Sequence, residues 1–183
     1  MIRPSLKVPP ALPLVTLEEL KVNARIGFDD DDALLQSYLN AAIAHLDGYA
    51  GILGRCLVTQ TWEQGFVDWC YRLRLPFPDV ASATIAYVDA DGAEKSVAGS
   101  LFEIVEGPMG AEVVFKDDFS EPSLSDDAAL PIKISFEAGY GAPGDVPDDI
   151  TLVVTALARH WFDGQEGLPP QMVMLDKYRF VPV

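Results

Sequence analysis

Apolar residues along this chain recur at two spacings, and the change from one to the other marks out its elements. Over residues 16–51 and again over 147–163 they recur at helical intervals; over 57–138 the period falls toward two. The first helical stretch opens on Thr16-Leu-Glu-Glu19, a capping box in which the Thr16 hydroxyl meets the Glu19 N–H and the Glu19 carboxylate returns to the Thr16 N–H. Val15 and Leu20 are placed as its hydrophobic staple. This helix is predicted over 16–25, with Gly27 as its stop. A second helix, 31–51, begins in the acidic run Asp29–Asp32, whose carboxylates suit the positive end of the helix dipole. Its stripe is Leu34, Leu35, Tyr38, Leu39, Ala42, Leu46 and Tyr49, and it is expected to end near Gly51 and Gly54. A third helix, 147–163, carries Ile150, Val153, Val154, Leu157 and Trp161 on one face, Arg159 and His160 toward its C-terminal dipole, and Gly164 as cap.

Between them, β-prone segments fall at Val58–Trp62, Arg72–Leu75, Thr84–Val88, Phe102–Val105, Val113–Phe115 and Ile132–Phe136. Asp89-Ala-Asp-Gly92 predicts a turn joining Ala83–Val88 to Glu94–Val97 as a hairpin. Lys116–Ala129, rich in Asp and Ser, reads as a flexible loop. The expected class is α+β: a small helical body of three helices, an inserted, mostly antiparallel β lobe at 57–138, and extended termini. Residues 1–14 read as a proline-rich N-terminal arm, 15–163 as a single domain, and 164–183 as a C-terminal tail in which Met172–Tyr178 makes one or two helical turns. No internal repeat is present.

Composition narrows the function. A chain of 183 residues with 49% hydrophobic and 22% charged content has core enough to fold without staples. The net charge of −15 argues against a protein that grips nucleic acid by neutralising phosphates. Cys56 and Cys70 form neither a CxxC motif nor a metal spacing and read as unbridged thiols of a reducing compartment. Pro4, Pro9, Pro10 and Pro13 interrupt the N-terminus, so no signal peptide is expected, and no apolar run approaches the ~20 residues that span a bilayer. The expectation is a soluble protein made in the cytoplasm.

Candidate chemistry is sparse. Gly139-x-Gly141-x-x-Gly144 lies between a strand and a helix, the setting of a dinucleotide fingerprint. Asp145, Asp148 and Asp149 would repel a diphosphate there, Pro147 removes a donor, and too little chain follows for a second parallel strand. The segment reads instead as a glycine-rich turn feeding an acid-capped helix. Asp29–Asp32 and Asp89–Gly92 each hint at calcium. The first lacks alternating ligands; the second has Tyr87 where the first acidic ligand belongs and Ala98 where the last belongs. His45 and His160 stand in no recognisable motif, and Trp62, Trp69 and Trp161 read as core anchors. No catalytic, cofactor-binding or metal-binding residue is assigned, no cofactor is implied, and the chain is expected not to be an enzyme.

Taken in order, several segments resemble the head–tail connector (adaptor) proteins of tailed phages and of gene transfer agents. They are Thr16–Lys21, Asp29–Asp32 with Ala33–Leu39 and Ala41–Ala44, Gly51, Cys56–Trp62, Leu73–Pro78, Tyr87–Gly92, Phe136–Gly141, Val146–Ile150 and His160-Trp-Phe162. The likeness covers roughly residues 15–163. It implies a virion structural protein: a homo-oligomeric ring, a dodecamer in the particle, under the portal protein and continuing the DNA channel toward the stopper and tail. DNA would pass through the lumen without specific binding, and no membrane is involved. The location implied is the neck of a virion or gene transfer agent particle, after synthesis in the bacterial cytoplasm.

The family's C-terminal segment docks on the portal, which by position points to Leu168–Val183 and to Met172, Met174, Tyr178, Arg179 and Phe180 as docking residues. The same tail also reads as a short element folded back on its own core, and the N-terminal arm as either ordered on assembly or a frayed end. Three other functions stay open at this level: a stopper or other neck-ring component, a cytoplasmic scaffold, and a small-molecule enzyme.

Overall fold

The computed structural model describes residues 2–107 and 109–181. Met1 of the expected arm, Pro108 of the β insertion, and Pro182 and Val183 of the tail lie outside the described residues. The architecture is α+β, in two compact units.

One unit comprises, of the described residues, 2–10 and 59–139 and contains the strands. These are β1 (Ser5–Val8), β2 (Gln60–Phe66), β3 (Arg72–Arg74), β4 (Val80–Val88), β5 (Glu94–Val97), β6 (Phe102–Gly107), β7 (Gly110–Phe115) and β8 (Ile132–Ala138). They form a five-stranded sheet in the order β1-β2-β8-β4-β5 and a three-stranded sheet β3-β7-β6. Every pairing among the described strands is antiparallel.

The period of two decides which residues enter the core. On β8, Ile132, Ile134, Phe136 and Ala138 are buried while Lys133 and Glu137 face solvent. On β2 the inward set is Gln60, Trp62 and Gln64. Trp62 and Phe77 pack at 5.0 Å between ring centroids, and Phe77 continues to Phe136 at 6.2 Å. A second aromatic cluster centres on Trp69, edge-on to Tyr87, Phe115 and Phe119, with its indole N–H donating to the Pro122 carbonyl at 2.9 Å. Phe119 stacks on Phe115 at 4.1 Å, and the Ser125 N–H donates to the Val88 carbonyl. The loop over 116–129 is therefore anchored rather than loose, because one aromatic residue within the Asp/Ser-rich stretch finds a partner ring.

The Asp89–Gly92 turn forms as its sequence predicts. Asp89 Oδ1 accepts from the Asp91 and Ala93 N–H groups, Gly92 takes a positive φ, and Lys95 pairs with the other carboxylate oxygen at 2.5 Å. The Lys95 contact first, and the Ala93 N–H second, hold the Asp89 carboxyl below the usual carboxylate range.

The other unit, residues 11–58 and 140–181, holds α1 (Leu17–Ala24), α2 (Asp32–Leu46), α3 (Asp148–Phe162) and a 3₁₀ segment, Pro170–Tyr178. The capping box at α1 is made: the Glu19 N–H donates to Thr16 Oγ1 at 3.2 Å and the Thr16 N–H to Glu19 Oε2 at 2.8 Å. The helix ends at Ala24, within a residue of the expected 25, and its cap is Arg25 rather than Gly27. Arg25 adopts a left-handed conformation, and the Ile26 N–H closes on the Lys21 carbonyl.

Lys21 reaches across to the acidic run, pairing with Asp29 and with Asp32, the latter at 2.6 Å. That contact, rather than a metal, accounts for two of its four carboxylates. α2 ends at Leu46, five residues short of the expected 51. Asp47 leaves the helix and its carboxylate accepts the Leu57 N–H at 2.7 Å, which starts a compact turn through 58. Gly51 sits so close to the Leu46 and Asp47 backbone that a Cβ has no room.

The helical core is the seam between α2 and α3. Leu35, Leu39, Ala42 and Leu46 face Ile150, Val153, Val154, Leu157 and Ala158, and Leu20, Leu53 and Leu175 close its ends. Truncating Leu39 to Ala should cost about 2–5 kcal/mol, and Phe136→Ala in the β unit about 3–5 kcal/mol. Thr16→Ala should cost about 1 kcal/mol through the lost cap. Chemical denaturation of each purified variant reads these losses.

Candidate interface surfaces

The glycine-rich segment supplies its own hydrogen-bond partners. Gly139 and Gly141 both take positive φ, and a short 3₁₀ turn, Pro143–Asp145, follows. The Gly139 N–H goes to the Asp79 carbonyl and the Tyr140 N–H to the Leu57 carbonyl. Asp145 folds back, its Oδ2 accepting the Ala142 N–H at 2.8 Å and filling the space beside Gly141. α3 begins three residues later, behind Pro147, with Asp148 and Asp149 in its first turn. The donors and the space that a phosphate would use are taken by this carboxylate, and the next charges the ligand would meet are also negative. The segment is a joint, fixed further by Arg55, whose guanidinium lies over the Tyr140 ring and donates to its hydroxyl.

The tail segment is ordered along the helical core. Leu175 is fully buried, and Met172, Met174 and Tyr178 are half-buried against the α2–α3 seam. The Phe180 N–H donates to the Leu53 carbonyl at 2.8 Å, and its own carbonyl lies so close to Gly54 that a Cβ there has no room. Of the five residues singled out from the sequence, only Arg179 is exposed; Met172, Met174, Tyr178 and Phe180 are half-buried. The outward apolar residues of this segment are Leu168, Val173 and Val181, 53%, 70% and 61% exposed. Apolarity marked the segment in the sequence. It could not separate the inward side chains from the outward ones, because the 3₁₀ period sets that.

An ion pair ties the tail to α3. Lys177 meets Asp149 at 2.5 Å, and the Tyr178 hydroxyl donates to the same carboxylate at 3.2 Å. The Lys177 ammonium holds the Asp149 carboxyl below the usual carboxylate range, and Asp149 in turn raises Lys177.

Elsewhere in this unit, Asn23, Ala24, Leu152, Thr155 and Arg159 help line an open groove of about 410 Å³ between α1 and α3. Arg159 pairs with Asp163 at 2.6 Å and donates to the Ala24 carbonyl. His45 stands edge-on to Trp161, and His160 meets the Glu166 carbonyl. Among the described residues no group of His, Cys, Asp or Glu is placed to hold a metal ion, and no helix is long and apolar enough to cross a membrane. Cys56 is buried and Cys70 exposed, with no disulfide between them.

Two outcomes follow for the tail. Asp149, with a depressed pKa in the folded protein, contributes stability that is present above the ordinary carboxylate range and is lost as pH falls through its lowered value. Lys177, with a raised pKa, contributes below the ordinary lysine range and loses that contribution as pH rises through its raised value. The protection of amides over 170–181, measured against their intrinsic exchange rates at each pH, should therefore be highest near neutral pH and fall in acid and in strong alkali. Asp149→Asn should flatten the acid limb. Gly54→Ala should quicken exchange over 177–181 at every pH, by forcing Phe180 off Leu53.

Comparison with known proteins accords with the resemblance read from the sequence. Residues 14–64 match the phage gp6-like head-tail connector protein family. No curated protein sequence matches the chain. A chain in the virion of a native gene transfer agent particle superposes with a TM-score of 0.78 at 23% identity, covering 100% of this chain and 97% of that one. A chain from the neck of an empty gene transfer agent particle, computed with C6 symmetry, gives 0.79 at 22% identity with the same coverage. One from the neck of a native particle, computed with C12 symmetry, gives 0.72 at 24% identity over 98% and 97%. The protein thus carries the phage head–tail connector pattern over residues 14–64 and, along its whole length, the fold of a chain from the gene transfer agent neck.

Proposed function

We propose that the protein is a structural component of a virion or gene transfer agent neck, a head–tail adaptor that assembles as a ring beneath the portal and continues the DNA channel toward the stopper and tail. One observation carries this reading: the connector pattern at 14–64 coincides with an end-to-end fold match to neck chains, one of them from a neck computed with C12 symmetry. That symmetry favours a dodecameric ring, and a ring needs two different faces of each subunit to meet.

The physical character of the chain fits the role. A net charge of −15 gives a wall from which phosphates gain little, so DNA slides past it without being held. The joint at 139–147 is occupied by its own carboxylate, which leaves no anion cradle to hold the passing backbone. The tail is the segment for portal docking, with Val173, Arg179 and Val181 as its outward anchors over the inward Met172, Met174, Tyr178 and Phe180. In this reading the neck is the place of work, after synthesis in the bacterial cytoplasm, and the protein acts by contact rather than by catalysis.

Electron microscopy of portal assemblies incubated with the purified protein tests the assignment: a single ring on the tail-facing side of the portal is expected. A ring found only on a preassembled adaptor layer would make the protein a stopper instead, and no ring at all would remove the neck assignment. Val173→Asp, at a solvent-facing position, should leave the melting temperature unchanged and weaken portal attachment about tenfold or more, as loss of an interface anchor does. Unchanged attachment would take the tail out of docking.

A further inference from the structure

Strand β1 is bound to its sheet in an unusual way. All four of its side chains, Ser5 to Val8, face solvent, so it gives nothing to the core of the β unit. What holds it is the ladder to β2, in the register Ser5↔Glu63, Leu6↔Trp62 and Val8↔Thr61 with a bulge between Leu6 and Val8. Two side-chain ties are added. Lys7 pairs with Glu63 at 2.9 Å, and Gln64, itself buried, donates from Nε2 to the Ile2 carbonyl at 2.8 Å. The receiving edge is thus specific in main chain, charge and one buried amide. The side chains of the donor strand itself lie outside the core, while Pro4 just before it is buried.

The chain that follows β1 is a short proline-rich hinge. Pro9, Pro10 and Pro13 each restrict φ, and the backbone bends at 11–12 and again at 14–15. The boundary between the two compact units falls inside this hinge, after Pro10, so β1 and the helices it leads to belong to different units. An identical edge on a neighbouring copy offers the same ladder, the same Glu63 and the same Gln64. Exchange of such an element between copies changes no contact chemistry, and a short hinge favours it.

We propose that β1 is exchanged in the assembled protein: residues 2–8 of one copy pair with β2 of the next, linking subunits into a closed ring. The ring supplies the setting for this step and comes from the function proposed above; the exchange itself rests on the β1–β2 edge. The occupant of that edge in the ring is the second copy's own N-terminal strand, and a copy in dilute solution keeps its strand in cis.

Two proteins, both with Cys70→Ser and with the buried Cys56 kept, test it: one gains a cysteine by Ser5→Cys, the other by Glu63→Cys. Directly opposed Cα atoms of an antiparallel pair stand about 4.5–5.5 Å apart, a separation a disulfide spans. Mixed in equal amounts and oxidised, the two can form a 5–63 disulfide only between copies, and peptide mapping identifies that bond. The double variant Ser5→Cys/Glu63→Cys in dilute solution calibrates the bond in cis. The expected result is at least tenfold more 5–63 heterodisulfide in portal-bound rings than in the dilute mixture. Rings that form with no heterodisulfide overturn the exchange while leaving the neck function standing. If no ring forms, the neck function fails instead. The exchange is then decided by refolding the mixture together at high concentration, where the heterodisulfide supports it and its absence overturns it.

Discussion

The seam between α2 and α3 is the constraint on which the rest depends. Neither helix has another surface large enough to cover its apolar stripe, and the two stripes lie about a hundred residues apart in sequence. Leu35, Leu39, Ala42 and Leu46 find Ile150, Val153, Val154 and Leu157 only because the chain returns from its β strands at a defined point. The joint at Tyr140–Pro147 sets that point. Within it the positive φ of Gly141, the Asp145 carboxylate and the Arg55–Tyr140 contact shape the turn that leads into α3. Glycines that look like a nucleotide motif in the sequence serve packing.

A second theme is how the protein places its negative charge. Four acids open α2, two open α3, and one caps the turn between them and the strands; these are positions where helix dipoles and backbone N–H groups favour carboxylates. Lys21 and Lys177 each take one or two of these carboxylates as partners, and Lys95 takes Asp89 of the β4–β5 turn. The chain thus carries a large net charge without burying an unpaired one in the helical seam. Pairs of this exposed kind contribute little to stability. Their effect is to place loops and tail.

Much of this was legible in the sequence, and the reasons differ element by element. The Thr16–Glu19 box, the inward face of α3, the Asp89–Gly92 turn and the alternation on β8 all follow from local chemistry acting within a few residues. β1 was not legible as a strand: between prolines and with every side chain exposed, it leaves no alternation of buried positions to read. The end of α2 was missed because the stopping group, the Asp47 carboxylate, finds its partner ten residues away at Leu57. α1 stops at Arg25 rather than at a glycine, which no propensity signals. The anchoring of the loop over 116–129 depended on Phe119 finding Phe115. The tail was marked correctly as apolar, but its inward and outward faces follow the 3₁₀ period over 170–178, which the sequence did not announce, and Phe180 beyond it is placed by Leu53.

The insertion of the strands between the two halves of the helical unit has a consequence for how the protein is made. When α2 leaves the ribosome its partner does not yet exist. At translation rates of ~5–20 residues per second, about 5–20 s pass before α3 is available. The β unit, whose β2–β8 strands are complete by Ala138, can close first and draw the ends of that long gap together, which lowers the entropy cost of the final pairing. During the interval the α2 stripe is open to other newly made chains. The helical unit therefore has its most adhesive moment on the ribosome, where neighbours on the same message are close.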